Sequence, residues 1–101
     1  MERQGLLPCE AVEWVDTDWP GWVRVRLLDA DGQPWFLTDK VPIFLADFGP
    51  DAAMPVPVHL ACDIVGEDGD RLLVVPRWNV VADDGTSQFY VRRDQLESAG
   101  G

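Results

Sequence analysis

The single histidine of the chain, His59, lies three residues before Cys62, and this pair is the first place to look for catalytic chemistry. A Cys–His nucleophile needs its base and its thiol within hydrogen-bond reach of each other. We predict a strand over residues 58–65, in which Val58, Leu60 and Cys62 point to one face and His59 to the other. We therefore expect a buried thiol and an outward-facing imidazole, and no catalytic dyad.

Metal binding is the next chemistry to test, and one histidine with two separated cysteines does not supply the ligands of a zinc site. The turn Asp29–Gly32 is similar to the start of a calcium loop, but an EF-hand has its glycine at the sixth position and a glutamate at the twelfth. Glu67–Asp70 and Asp83–Gly85 are turns of the same kind. We interpret all three as hairpin turns, with weak divalent-cation binding as the alternative, and predict no metal and no cofactor.

Signatures of an enzyme are missing from the sequence. It has no G-x-S-x-G elbow, no glycine-rich phosphate loop and no H-E-x-x-H motif. Paired carboxylates carry no catalytic information in so acidic a chain. We predict that the protein is not an enzyme, with no catalytic residues.

The charge balance bears on the partners of the protein. The 101 residues include 18 acidic and 8 basic side chains, a formal net charge of −10. The electric field of this net charge repels phosphate backbones and attracts a basic partner protein. An acidic surface that serves only to keep the protein soluble is the other interpretation of this charge. The alternative is a single-stranded nucleic-acid site of the OB type, in which arginines on neighbouring strands form a strip beside Trp22. The arginines of that strip are Arg24, Arg26, Arg92 and Arg93.

The elements that position these residues are short strands joined by polar turns. Between Gly21 and Lys40, Val23, Val25 and Leu27 alternate with arginines, which is typical of a sheet with one buried face. About six such antiparallel strands at hairpin spacing predict an all-β fold, a single partly open barrel of the SH3-like or OB-like type. We expect an N-terminal tail over residues 1–8, a barrel domain over 9–97 with its first strand at Cys9–Val15, and a flexible tail over 98–101.

Two apolar surfaces are candidates for partner binding. The proline-rich segment between residues 42 and 58 carries Phe44, Phe48 and Met54, which either cap the core or stay partly exposed as a docking patch. Trp19 and Trp22 flank a Pro-Gly turn and form the second candidate. The leading hypothesis is an acidic protein-binding module, for example an immunity-type or regulatory inhibitor of a basic partner. A structural accessory that self-associates through a strand edge is a further alternative.

The compartment follows from absent targeting signals and from the cysteines. No apolar run approaches the ~18 residues of a membrane span, and the first residues lack a secretory signal pattern. We expect a cytoplasmic protein without membrane contact, in which Cys9 and Cys62 are reduced thiols.

Several short motifs together resemble a pattern in small bacterial β-domain proteins that have no assigned activity. In these, a hairpin with D-A-x-G is followed by D-K-x-P-[IV]-F, a strand with a cysteine, and F-x-V-x-x-D-Q-L. Here those motifs are Asp29–Gly32, Asp39–Phe44, Cys62 and Phe89–Leu96. The resemblance implies a bacterial origin and a compact β-fold, and it carries over no functional residues.

Overall fold

The computed structural model describes residues 3–98, and seven strands with two single-turn 3₁₀ helices account for its regular structure. The 3₁₀ helices cover Val41–Phe44 and Arg93–Gln95. The strands are β1 (Arg3–Asp16), β2 (Trp22–Leu28), β3 (Pro34–Lys40), β4 (Val56–Asp68), β5 (Arg71–Pro76), β6 (Phe89–Arg92) and β7 (Glu97–Ser98). Within this range no helix is long and apolar enough to cross a membrane.

All the strands pair antiparallel in one curled sheet with the order β3-β2-β1-β4-β5-β6, and β7 adds to β1. The curl brings the two ends of the sheet towards each other. On one side Leu37 of β3 bridges to Ala82, and on the other the Ala30 N–H donates to the Tyr90 carbonyl of β6 at 2.8 Å. The predicted all-β, partly open barrel is therefore confirmed.

The core lies inside the curl, on the face that the alternation of β2 predicts. Val23, Val25 and Leu27 are fully buried, whereas Arg24 and Arg26 of the same strand are partly exposed. Each central strand contributes alternate residues to the same cluster. Its largest fully buried members are Phe44, Leu7, Leu27, Leu37 and Leu60.

The first strand differs from the expectation of an N-terminal tail over residues 1–8. It begins at Arg3, pairs with β4 from Arg3 to Ala11, and buries Leu7. Pro8, which cannot donate a ladder hydrogen bond, lies opposite His59 of β4. On the other side of β1 it falls between the residues that pair with β7 and those that pair with β2. Residues 1 and 2 lie outside the described range.

The C-terminal boundary also differs from the expected flexible tail over residues 98–101. Ser98 pairs with Gly5 in β7, and residues 99–101 lie outside the described range.

Candidate functional site

Trp19 is the large hydrophobic side chain with the greatest exposure in the part of the chain that the structure describes, at 94%. It lies on the turn between β1 and β2. The Asp16 carboxylate accepts a bond from the Asp18 N–H at 2.9 Å, and the Gly21 N–H donates to the Asp18 carbonyl at 2.7 Å. The turn is therefore tightly held, and it presents Trp19 to solvent.

Glycine is required at the end of this turn. Gly21 has φ +85, and a Cβ there would lie 3.0 Å from Cζ3 of Trp14. Both the backbone conformation and the close approach of the Trp14 ring exclude a larger residue without strain. The Val41 N–H donates to the Gly21 carbonyl at 2.9 Å, which ties the turn to the first 3₁₀ helix.

A groove of about 290 Å³ lies between this turn and the segment that follows β3. We call it the Trp19 groove. Trp14 and Phe48 both line it, and they pack edge to face, with ring centroids 5.4 Å apart. Its main lining residues are Trp14, Trp19, Pro20, Pro42, Asp47 and Phe48. The groove is therefore an aromatic and proline surface with a carboxylate in its wall.

The structure separates the predicted partner residues of the segment 42–58. Phe44 is fully buried, so the prediction that it stays exposed as part of a docking patch is wrong. The 3₁₀ helix is the reason: residues i and i+3 lie on the same side of such a helix, and here Val41 and Phe44 both face the core. Phe48 and Met54 are half-buried and pack against that core. Of these residues, only Phe48 lines the Trp19 groove.

Trp22 lies outside the groove. The residue is 36% exposed, and the ammonium of Lys40 lies 5.7 Å from its ring centroid. Of the two tryptophans that flank the Pro-Gly turn, only Trp19 therefore lines the groove.

The arginines of the predicted nucleic-acid strip lie on, or directly after, strands that do not pair with each other. Arg24 and Arg26 lie on β2, and Arg92 lies on β6 with Arg93 directly after it. Strands β2 and β6 are not neighbours in the sheet, so the condition for a strip is not met.

Every arginine of the strip is also engaged with a carboxylate. Arg24 pairs with Glu13 at 2.6 Å and with Asp83 at 3.3 Å, and Arg26 pairs with Glu10. Other arginine pairs are Arg92–Asp94, Arg93–Glu67, Arg3–Glu67, Arg71–Asp31 and Arg77–Asp63. The positive side chains are thus neutralised by the protein's own acidic residues.

Carboxylates around the Trp19 groove have no such partner. Asp16, Asp18 and Asp47 form no ion pair with any residue between 3 and 98. Carboxylates that no basic side chain of residues 3–98 neutralises therefore lie around Trp19, the most exposed aromatic side chain of that range.

The two thiols lie on the core side of the sheet. Burial raises the pKa of Cys9 and of Cys62 to about 12. His59 is on the opposite face, where its Nε2 lies 3.1 Å from the Glu97 carboxylate. The expectation that His59 and Cys62 point to opposite faces is confirmed, and the arrangement offers no activated thiolate.

The turn at Asp29 uses its own carboxylate. Asp29 accepts bonds from the backbone N–H groups of Asp31 at 2.8 Å and Gln33 at 2.9 Å, and from Nε1 of Trp35 at 3.0 Å. Asp31 pairs with Arg71 at 2.6 Å. Across residues 3–98 no group of three or more histidine, cysteine, aspartate or glutamate side chains is placed to hold a metal ion.

Sequence reasoning missed Trp14 and Asp47 as parts of the candidate site. The sequence predicts Trp14 in a strand and Asp47 in an irregular segment, and only the closure of that segment over the β1–β2 turn brings them together. The W-P-G motif at Trp19 was the available signal, because a bulky aromatic residue in a tight turn has little core within reach.

Comparisons with models of protein families, with curated proteins and with solved structures find no match to this chain. The resemblance to small bacterial β-domain proteins stays a prediction. The function is therefore inferred from the site alone.

Proposed function

We propose that this protein is a non-enzymatic module that binds a basic partner protein through the Trp19 groove. The observation that carries the proposal is the pairing of 94% exposed Trp19 with aspartates that have no cation of their own between residues 3 and 98. An inhibitor of the immunity type, acting on a basic partner in the bacterial cytoplasm, is a concrete form of this function.

Aromatic side chains near the centre of an interface carry much of its binding energy. Trp19 is exposed in the free chain, and the neighbouring groove offers the apolar rings of Trp14 and Phe48. Burial of such a surface by a partner is favourable, and tryptophan is among the residues whose truncation most often weakens binding strongly. The groove supplies the anchor of the interface.

The net charge supplies the attraction at longer range. A formal charge of −10 accelerates the approach of a positively charged protein at low ionic strength and is screened by salt. Because the arginines are already paired, a phosphate backbone finds no free cation among them. A basic protein is therefore favoured over a nucleic acid.

Self-association through a strand edge has less to support it than a basic partner. In β3 the Phe36 carbonyl already accepts the Asp83 N–H at 2.7 Å, and in β6 the Tyr90 carbonyl accepts the Ala30 N–H. Because these edge strands already use some of their backbone groups within the chain, fewer groups remain to pair with a strand of a second copy.

The test is an affinity capture from lysate of the source organism, with and without nuclease treatment, at low and at high salt. Wild type is compared with Trp19→Ala and with Trp78→Ala, a matched control because Trp78 is 53% exposed and does not line the groove. We expect a basic protein that binds wild type and Trp78→Ala at low salt, is released by high salt, and is lost with Trp19→Ala. Capture that survives Trp19→Ala, that ignores salt or that needs nucleic acid, or no captured protein at all, contradicts the proposal.

A further inference from the structure

The exposed tryptophans outside the groove each have a cation supplied by the chain itself. Lys40 lies 5.7 Å from the ring centroid of Trp22, and the Arg77 guanidinium lies 5.8 Å from that of Trp78. Both distances are those of cation–π contacts, in which the positive charge is attracted to the face of the indole. This protein therefore covers exposed indole faces with its own basic side chains.

Trp19 is the exception among the exposed tryptophans. No lysine or arginine between residues 3 and 98 lies over its ring, although it is the most exposed of them. It has no aromatic partner in that range either, whereas Trp14 pairs with Phe48 and Trp35 with Phe89. The face of Trp19 is free to receive a cation from outside the chain.

The surroundings of Trp19 favour a cation as the group it receives. Asp18 is its neighbour in the turn, and Asp47 lines the groove; neither carboxylate pairs with a cation of residues 3–98. An indole face and a carboxylate that line the same groove suit arginine better than lysine. The planar guanidinium stacks on an aromatic ring while its N–H groups still donate to an acid, and it is more weakly hydrated than an ammonium group.

We propose that the Trp19 groove receives an arginine side chain of the basic partner. The guanidinium stacks on Trp19 and donates to Asp47, and its aliphatic stem packs against the apolar wall at Phe48. This inference rests on the proposed function and adds the chemistry by which the partner is recognised: a protruding arginine beside an otherwise basic surface.

The experiment is a titration with a capped Gly-Arg-Gly peptide, compared with the same peptide carrying citrulline, which is nearly isosteric with arginine but uncharged. The indole N–H signals of the five tryptophans, assigned by substitution, report the site of binding in nuclear magnetic resonance spectra. We expect the Trp19 and Trp14 signals to shift with the arginine peptide. The citrulline peptide is expected to bind at least roughly tenfold more weakly, because it lacks the charge needed for both contacts.

Variants separate the guanidinium contact from a general apolar one. Asp47→Asn and Trp19→Leu are both expected to weaken binding of the arginine peptide, while Trp78→Leu leaves it unchanged. No shift with arginine, equal shifts with citrulline, or full binding by Trp19→Leu overturns the inference. A lysine peptide that binds as well as the arginine peptide also overturns it, since the choice of arginine then fails.

Failure of this inference is distinguishable from failure of the proposed function. If the captured partner is lost with Trp19→Ala while the arginine peptide does not bind, the groove is a protein-binding surface that uses other contacts. If the arginine peptide binds at Trp19 while partner capture ignores that residue, the arginine site exists and the proposed interface is wrong.

Discussion

Trp14 of β1 and Phe48 of the segment after the first 3₁₀ helix pack edge to face, with ring centroids 5.4 Å apart and ring planes at 65°. This contact ties the sheet to the wall of the Trp19 groove. Trp14 also packs against Gly21, so one indole supports both the wall and the turn that presents Trp19. The groove is thus built on the sheet rather than on a free loop, which preorganises its aromatic surface for binding.

Two phenylalanines four positions apart are expected to behave differently when truncated. Phe44→Ala removes a fully buried side chain and should lower the free energy of unfolding by about 3–5 kcal/mol. Phe48→Ala removes a half-buried ring and should lower the free energy of unfolding by about 1–2 kcal/mol. Most of this loss comes from the edge-to-face contact with Trp14 and from the apolar surface that is no longer buried. Urea unfolding of both variants measures the difference. Equal losses of stability would contradict the assignment of Phe44 to the core and of Phe48 to the wall of the Trp19 groove.

Gly21→Ala is expected to destabilise the protein more than Gly32→Ala. Both glycines have positive φ, +85 and +77, so each substitution carries a backbone cost of about 1 kcal/mol. Only at Gly21 does the new Cβ meet a neighbour, Cζ3 of Trp14 at 3.0 Å; at Gly32 nothing lies within 4 Å. The difference in stability between the two variants, measured by thermal unfolding, reports the cost of the contact between the new Cβ and Trp14. A Gly32→Ala protein as unstable as Gly21→Ala would show that the contact with Trp14 is unimportant.

Hairpin alternation was the part of the fold that the sequence could predict. Val23, Val25 and Leu27 alternate with arginines. Because side chains alternate between the two faces of a strand, only one orientation of β2 buries all three. The position of Phe44 could not be predicted, because prolines on both sides obscure any period and a 3₁₀ helix of four residues has no strong sequence pattern.

The start of β1 was missed for a related reason. Pro8 argues against a central strand, and the sequence does not reveal that it falls in a gap between the residues that pair with β7 and those that pair with β2. The Trp19 groove itself depends on contacts between segments far apart in the chain, so the sequence could nominate Trp19 and Phe48 but not their neighbours Trp14 and Asp47.

Both cysteines are expected to be unreactive in the folded protein. Burial raises the pKa of Cys9 and Cys62 to about 12, so the thiolate, which is the reactive form, is scarce at neutral pH. A colorimetric thiol reagent should therefore modify neither residue in native buffer and both of the chain's 2 cysteines in denaturant. Rapid modification of one thiol without global unfolding would contradict the prediction and show that the sheet opens locally around that cysteine.

Asp29 is expected to contribute stability that depends on pH. Burial alone would raise the pKa of its carboxyl, but the hydrogen bonds from Trp35, Gln33 and Asp31 outweigh this and hold the pKa below the ordinary 3.8. A lowered folded pKa means that the contribution is complete above 3.8 and is lost as the pH falls through the folded value. Asp29→Asn should therefore cost about 1 kcal/mol at neutral pH and progressively less in acid.

The matched variant for this prediction is Trp35→Phe, which removes the indole donor and leaves both backbone donors in place. Below pH 3.8, the free energy of unfolding of this variant should depend on pH less than that of wild type but more than that of Asp29→Asn. The reason is that the two backbone hydrogen bonds still lower the pKa of Asp29. Urea unfolding at several pH values measures all three proteins. A difference between wild type and Asp29→Asn that stays constant into strong acid would show that the carboxylate charge of Asp29 does not stabilise the turn.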